Sequence, residues 1–134
     1  MKDISDVTLF LNSYYTTFST LDVETISPFF HEPCLFISPQ GVAAAPTYDD
    51  VEDIFKVIAA TLRSKDYGRS ELTNLQVRRM SDAAMLASGV AVRYKTSGQE
   101  LERVGVTYIL QKSNKGWRIA VTVIHDADSL NSHA

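Results

Sequence analysis

Of the side chains that can exchange a proton near neutral pH, the chain carries three histidines, and only His125 sits in a patterned segment. Trp117, Ile119, Val121, Val123 and His125 recur at every second position, the spacing that puts side chains on one face of a strand. An imidazole at the end of an apolar stripe can act as a general acid or base, and burial would bias it towards the neutral base. The same position equally suits a structural histidine that donates to a backbone carbonyl at the rim. Asp126 follows directly, but neighbours on a strand point to opposite faces, so a His125–Asp126 dyad would need a bulge. His31-Glu32 falls in a linker and His133 near the end of the chain, so no metal-ligand spacing is present and no metal is expected. Cys34 lies in an apolar run and reads as a small buried hydrophobe. No glycine-rich phosphate loop follows a strand, so any chemistry is expected to be cofactor-free.

These residues need a scaffold, and the periodicity supplies one. Val7, Phe10, Leu11, Tyr14, Tyr15 and Phe18 share one helical face over Ser5–Phe18. Asp22 can cap a short helix to Phe29 or Phe30, which Pro33 ends. Cys34–Ser38 reads as a strand, Pro39-Gln40-Gly41 as its turn and Val42–Ala45 as the return. Thr47 and Asp50 form a capping box ahead of Val51, Ile54, Phe55, Ile58 and Leu62, a third helix. Strands are expected near Glu71–Met80, Ala84–Lys95, Leu101–Lys112 and Gly116–Asp126, joined as hairpins into a mostly antiparallel sheet. Alternation puts Arg93 and Arg103 on the outward face. The residues from 127 to 134 lack periodicity and read as a mobile tail. Helices followed by consecutive hairpins make an α+β domain with helices on one face of the sheet.

The length of 134 residues suits a single domain, here 1–126. A hydrophobic fraction of 45% with 22% charged residues points to a soluble globular chain. A net charge of -3 and one basic doublet, Arg78-Arg79, give no footprint for nucleic acid or an anionic membrane. One cysteine excludes an intrachain disulfide, which suits the cytoplasm. No apolar run approaches the roughly 20 residues that cross a bilayer, and no secretory leader is visible. On the face opposite the helices, Gly105, Thr107, Ile109, Ala120, Thr122 and Ile124 would make a flat, weakly polar surface that a second copy could cover, predicting a homodimer.

The order of elements, with Leu11-Asn12-Ser13-Tyr14-Tyr15, Leu21-Asp22-Val23-Glu24, the stretch from Cys34 to Gly41 and Gly116-Trp117-Arg118-Ile119, resembles the nuclear-transport-factor-two-like superfamily, in particular its SnoaL-like and ketosteroid-isomerase-like branch. The resemblance implies a cone-shaped fold with an apolar pocket between helices and curved sheet. It puts Tyr14 where the isomerases keep a phenol that donates to a developing oxyanion. It also implies a departure: Ser38 stands where they carry a carboxylate base and Tyr108 closest to their second acid, so steroid-type isomerisation is not expected. The pocket is expected to be lined by Tyr14, Phe36, Ser38, Tyr48, Phe55, Tyr94, Tyr108, Trp117 and His125. Two functions follow as expectations. One is binding of an apolar or aromatic small molecule, with isomerase, cyclase or dehydratase chemistry carried by Tyr14 and His125. The other is a non-catalytic dimerisation module whose cone its own side chains fill.

Overall fold

The computed structural model describes residues 2–127; the segment 128–134, most of the expected tail, lies outside the described residues. Helix α1 (Lys2–Phe18) is followed by the short α2 (Val23–Ile26), a 3-10 turn (Ser27–Phe29), β1 (Phe30–Ser38), β2 (Gly41–Ala45), α3 (Tyr48–Arg63), β3 (Tyr67–Ser81), β4 (Ala84–Lys95), β5 (Glu100–Ser113) and β6 (Gly116–His125). The capping residues act as their types dictate. Asp22 accepts from the Glu24 N–H at the start of α2, and Thr47 and Asp50 form the reciprocal capping box of α3. β1 begins at Phe30, four residues before the expected start, because Pro33 sits within the strand rather than ahead of it. No helix among the described residues is long and apolar enough to cross a membrane.

The six strands form one sheet in the order β2-β1-β6-β5-β4-β3. All neighbours are antiparallel except β1 and β6, which run parallel. The helices cover one face, and the core between them and the sheet includes Val7, Leu11, Phe30, Val51, Met85, Leu110 and Ile119, all fully enclosed. This is the α+β, helix-covered cone that the element order predicts.

One irregularity decides which residues face that core. On β6 Ile119 pairs with Leu110, but Val121 pairs with Ile109, so Ala120 is an extra residue opposite a single step of β5. A strand alternates with period two, and one inserted residue exchanges its faces from that point on. Before the bulge Trp117 and Ile119 face the helices, as expected. After it Thr122 and Ile124 do, while Val121, Val123 and His125 turn to the outer face. The expected outer surface is corrected accordingly: Thr122 and Ile124 leave it, and Val121, Val123 and His125 join Gly105, Thr107 and Ile109.

Candidate functional site

Between α1, α3 and the concave face of the sheet lies a cavity of about 350 Å³. Its walls are largely aromatic and aliphatic: Tyr14, Tyr15 and Phe18 from α1, Phe36 from β1, Phe55, Ile58 and Leu62 from α3, and Val106, Tyr108, Thr122 and Ile124 from β5 and β6. Phe36 and Phe55 meet edge to face at 5.8 Å, and Phe30 backs both at 5.3 and 5.4 Å, so the wall is braced by rings in tilted contact. The volume lies at the lower end of the roughly 300–1,000 Å³ that ligand pockets span, and the lining is mostly apolar.

Three phenols stand on this wall. The Tyr15 and Tyr108 hydroxyls are hydrogen-bonded at 2.6 Å, while the Tyr14 hydroxyl makes no hydrogen bond among the described residues although Tyr14 is only 5% exposed. Burial drives the Tyr14 and Tyr108 hydroxyls well above the ordinary tyrosine range, with the neighbouring phenols adding to the effect, and burial pushes Tyr15 up to about 12. The bond to Tyr108 and the Arg93 charge both act against the rise at Tyr15. All three are therefore protonated donors throughout the physiological range. The Thr122 hydroxyl, buried on the same wall, also has no partner.

Charge gathers on the same cavity wall. Arg93 of β4 lies opposite Glu102 of β5, and both side chains face the helices. This corrects the expectation that Arg93 faces outward; the alternation Met85, Ala87, Ala91, Arg93 carries it inward, whereas Arg103 is outside, forked onto Glu100 at 2.6 and 3.0 Å. Lys65, just after α3, approaches the other oxygen of Glu102 at 3.8 Å.

Of the expected lining residues, Tyr14, Phe36, Ser38, Phe55 and Tyr108 do line the cavity. Four do not. His125 is on the outer face because of the Ala120 bulge: its ring lies over Gly105, Nδ1 is 2.9 Å from the Asp126 carbonyl and Nε2 is 2.9 Å from the Thr107 hydroxyl. A carbonyl only accepts, so Nδ1 carries the proton, and in the neutral ring Nε2 accepts from Thr107. A Cβ at position 105 would collide with this ring and with the Asp126 carbonyl, which is why the residue there is glycine. His125 therefore lies on the outer face, away from the cavity that holds Tyr14. Tyr94 is also outside, beneath the Arg69 guanidinium at 4.2 Å, since it follows the inward Arg93. Tyr48 opens α3 outside the cavity, its backbone N–H donating to Glu32 at 2.7 Å. Trp117 faces the helices and is 6% exposed, but it is packed beyond the cavity with Lys112 5.7 Å from its ring. Arg93 and Thr122 were expected on the outer face, and Tyr15 and Glu102 were not among the expected lining residues. Tyr15 was legible as a member of the α1 stripe; the others depend on strand phase.

A helix-lined cone on a curved sheet, with an apolar cavity inside, defines the NTF2-like, cystatin-like class. The chain belongs to the NTF2-like protein family DUF6841, which it matches over residues 5–127. No curated protein matches it. Among solved structures it is similar to an NTF2-like protein with a cystatin-like fold from Novosphingobium aromaticivorans, with a TM-score of 0.78 at 15% identity over 96% of this chain and 84% of that one. It is also similar to a proposed aromatic ring hydroxylase from Novosphingobium aromaticivorans (TM-score 0.72, 14% identity, 93% and 89% covered). A proposed dehydratase of the NTF2-like family from Streptomyces avermitilis gives 0.73 at 16% identity, with 93% and 96% covered. At these identities the likeness is one of fold.

Proposed function

We propose that the cone binds a small apolar or aromatic molecule and that the Tyr14 hydroxyl donates a hydrogen bond to an oxygen of that molecule. The observation that carries this reading is an open aromatic cavity lined by a protonated phenol, Tyr14, whose hydroxyl makes no hydrogen bond among the described residues. A phenol donor facing an apolar cavity is available to an acceptor on a ligand, in a setting where such a bond is stronger than in water. A cone filled by its own side chains would leave no such volume, so the open cavity favours ligand binding over the self-filled dimerisation module. If the domain is a catalyst, its chemistry is isomerisation, cyclisation or dehydration without a cofactor, in which Tyr14 steadies developing negative charge on oxygen and the Tyr15–Tyr108 pair, with one O–H spent between them, supplies one further donor. The relatives described as a proposed dehydratase and a proposed aromatic ring hydroxylase are consistent with this class of ligand. A single buried cysteine suits a reducing compartment such as the cytoplasm.

A panel of bicyclic aromatic ketones and phenols, including 2-acetylnaphthalene, tests the reading by thermal shift. Compounds that stabilise the wild type should bind Tyr14→Phe with an affinity reduced about 2–10-fold, the worth of one ordinary hydrogen bond. His125→Gln should bind them unchanged. If no compound stabilises the protein, or if His125→Gln rather than Tyr14→Phe abolishes binding, the cavity is not the ligand site.

We further propose that a second copy covers the outer face around Ile109, Val121 and Val123, three aliphatic side chains left half-buried on an open sheet surface. Light scattering at micromolar concentration should report a dimer for the wild type and a monomer for Val123→Glu. A Val123→Glu protein that stays dimeric would remove this face as the interface.

A further inference from the structure

Arg93 is the anomaly in the cavity. Its side chain is 21% exposed, yet among the described residues its guanidinium makes no hydrogen bond, Nε is buried without a partner, and its one ion-pair contact is Nη1 to Glu102 at 3.6 Å. A guanidinium has five donors in a rigid fork, and one that is mostly withdrawn from water ordinarily spends several of them on a carboxylate. Arg103, one strand away, does so with both Nε and Nη2 on Glu100, at 3.0 and 2.6 Å. Glu102 is meanwhile divided between Arg93 and Lys65, with Lys65 at 3.8 Å, so two cations share one anion on the cavity wall. Phe18 lies 5.8 Å from the guanidinium, and the cross-strand neighbour of Arg93 on β3, Ser70, has its hydroxyl engaged with Tyr67 at 2.6 Å, so no other carboxylate on the wall competes with Glu102 for Arg93 among the described residues.

We infer that the cavity selects an aromatic carboxylate, whose ring lies among Tyr14, Phe36 and Phe55 and whose carboxylate takes the unspent donors of Arg93 in exchange for the loose contact to Glu102. The inference rests on the ligand-binding reading above and narrows it to a charged substrate class. The geometry suits the exchange. Moving from a contact of 3.6 Å to charge-assisted hydrogen bonds gains energy, and the net positive charge of Arg93, Lys65 and Glu102 offsets the charge that a carboxylate brings into an otherwise apolar site.

The matched probes are 2-naphthoate and its neutral analogue 2-acetylnaphthalene, titrated at pH 7.5 into wild type, Arg93→Gln and Glu102→Gln by calorimetry, with circular dichroism checking that each variant is folded. Wild type should prefer the acid by roughly tenfold or more. Arg93→Gln should lose that preference while binding of the ketone stays within about twofold. Glu102→Gln, which removes the competing carboxylate, should tighten the acid roughly threefold or more and leave the ketone unchanged; this second arm stands even if Arg93→Gln does not fold. Equal binding of acid and ketone, or weaker acid binding in Glu102→Gln, would overturn the inference and leave the general ligand site intact. Binding of neither probe would overturn both.

Discussion

Raising the pH from 9 to above 12 is expected to unfold the domain in a single step that releases phenolic protons. Three of the six tyrosines, Tyr14, Tyr15 and Tyr108, have hydroxyls that burial holds above the ordinary value near 10, whereas in the unfolded chain all three would ionise near it. A folded-state pKa above the unfolded one means that the native state binds more protons in the interval between them, so stability falls as pH rises through it. The contribution is fully present below pH 10. For Tyr15, raised to about 12, the loss runs from pH 10 to 12 and approaches about 3 kcal/mol above that. Tyr14 and Tyr108 act in the same direction, so the destabilisation from the three phenols accumulates over the same alkaline range. The measurement is absorbance at 295 nm alongside circular dichroism. The phenolate signal of these three tyrosines should appear together with loss of the fold, and Tyr15→Phe should move the transition to higher pH. Ionisation of all six residues below pH 11 with the fold intact would show the cavity phenols to be solvated.

Phe30→Ala should lower stability by about 3–5 kcal/mol, measured as a shift in the denaturant midpoint at pH 7. Phe30 is fully enclosed where β1 leaves the 3-10 turn, and its ring meets Tyr14 at 5.5 Å, Phe36 at 5.3 Å and Phe55 at 5.4 Å. Removing it takes away the ring's own burial and opens a void that three rigid neighbours cannot readily close, the combination that puts aromatic truncations at the upper end of core substitutions. Since Tyr14, Phe36 and Phe55 also form the cavity wall, the new void should join the existing one. The variant should therefore admit larger ligands than the wild type while being less stable. A midpoint close to that of the wild type would mean that the aromatic cluster is not the packed centre of the domain.

The sequence was most legible where a pattern is local. The amphipathic stripe of α1, the Thr47–Asp50 capping box and the four hairpin turns are each written within a few residues, and those elements form within a few positions of their expected bounds. Tyr14, Phe36, Ser38 and Phe55 were legible too, because each sits in an element whose inner face is unambiguous or just before its turn. The parallel pairing of β1 with β6 was not, because it joins segments more than eighty residues apart and no turn announces it.

What the sequence by itself determined is the inventory: an α+β element order that resembles the cone fold, and a first helix that carries two phenols on its apolar stripe. What only the tertiary structure decided is the phase of the last strand, and with it the chemistry of the cavity. After Ala120 both sets of alternating residues are apolar enough to be buried: Val121 and Val123 on one side, Thr122 and Ile124 on the other. Period-two patterning cannot choose between two acceptable faces, and a bulge that costs one unpaired residue carries no composition signal of its own. That one residue sends His125 to the outer face above Gly105 and turns the Thr122 hydroxyl inward. The inward turn of Arg93 is likewise a matter of cross-strand register with Glu102, a long-range pairing against which the usual rule of charge facing water argues.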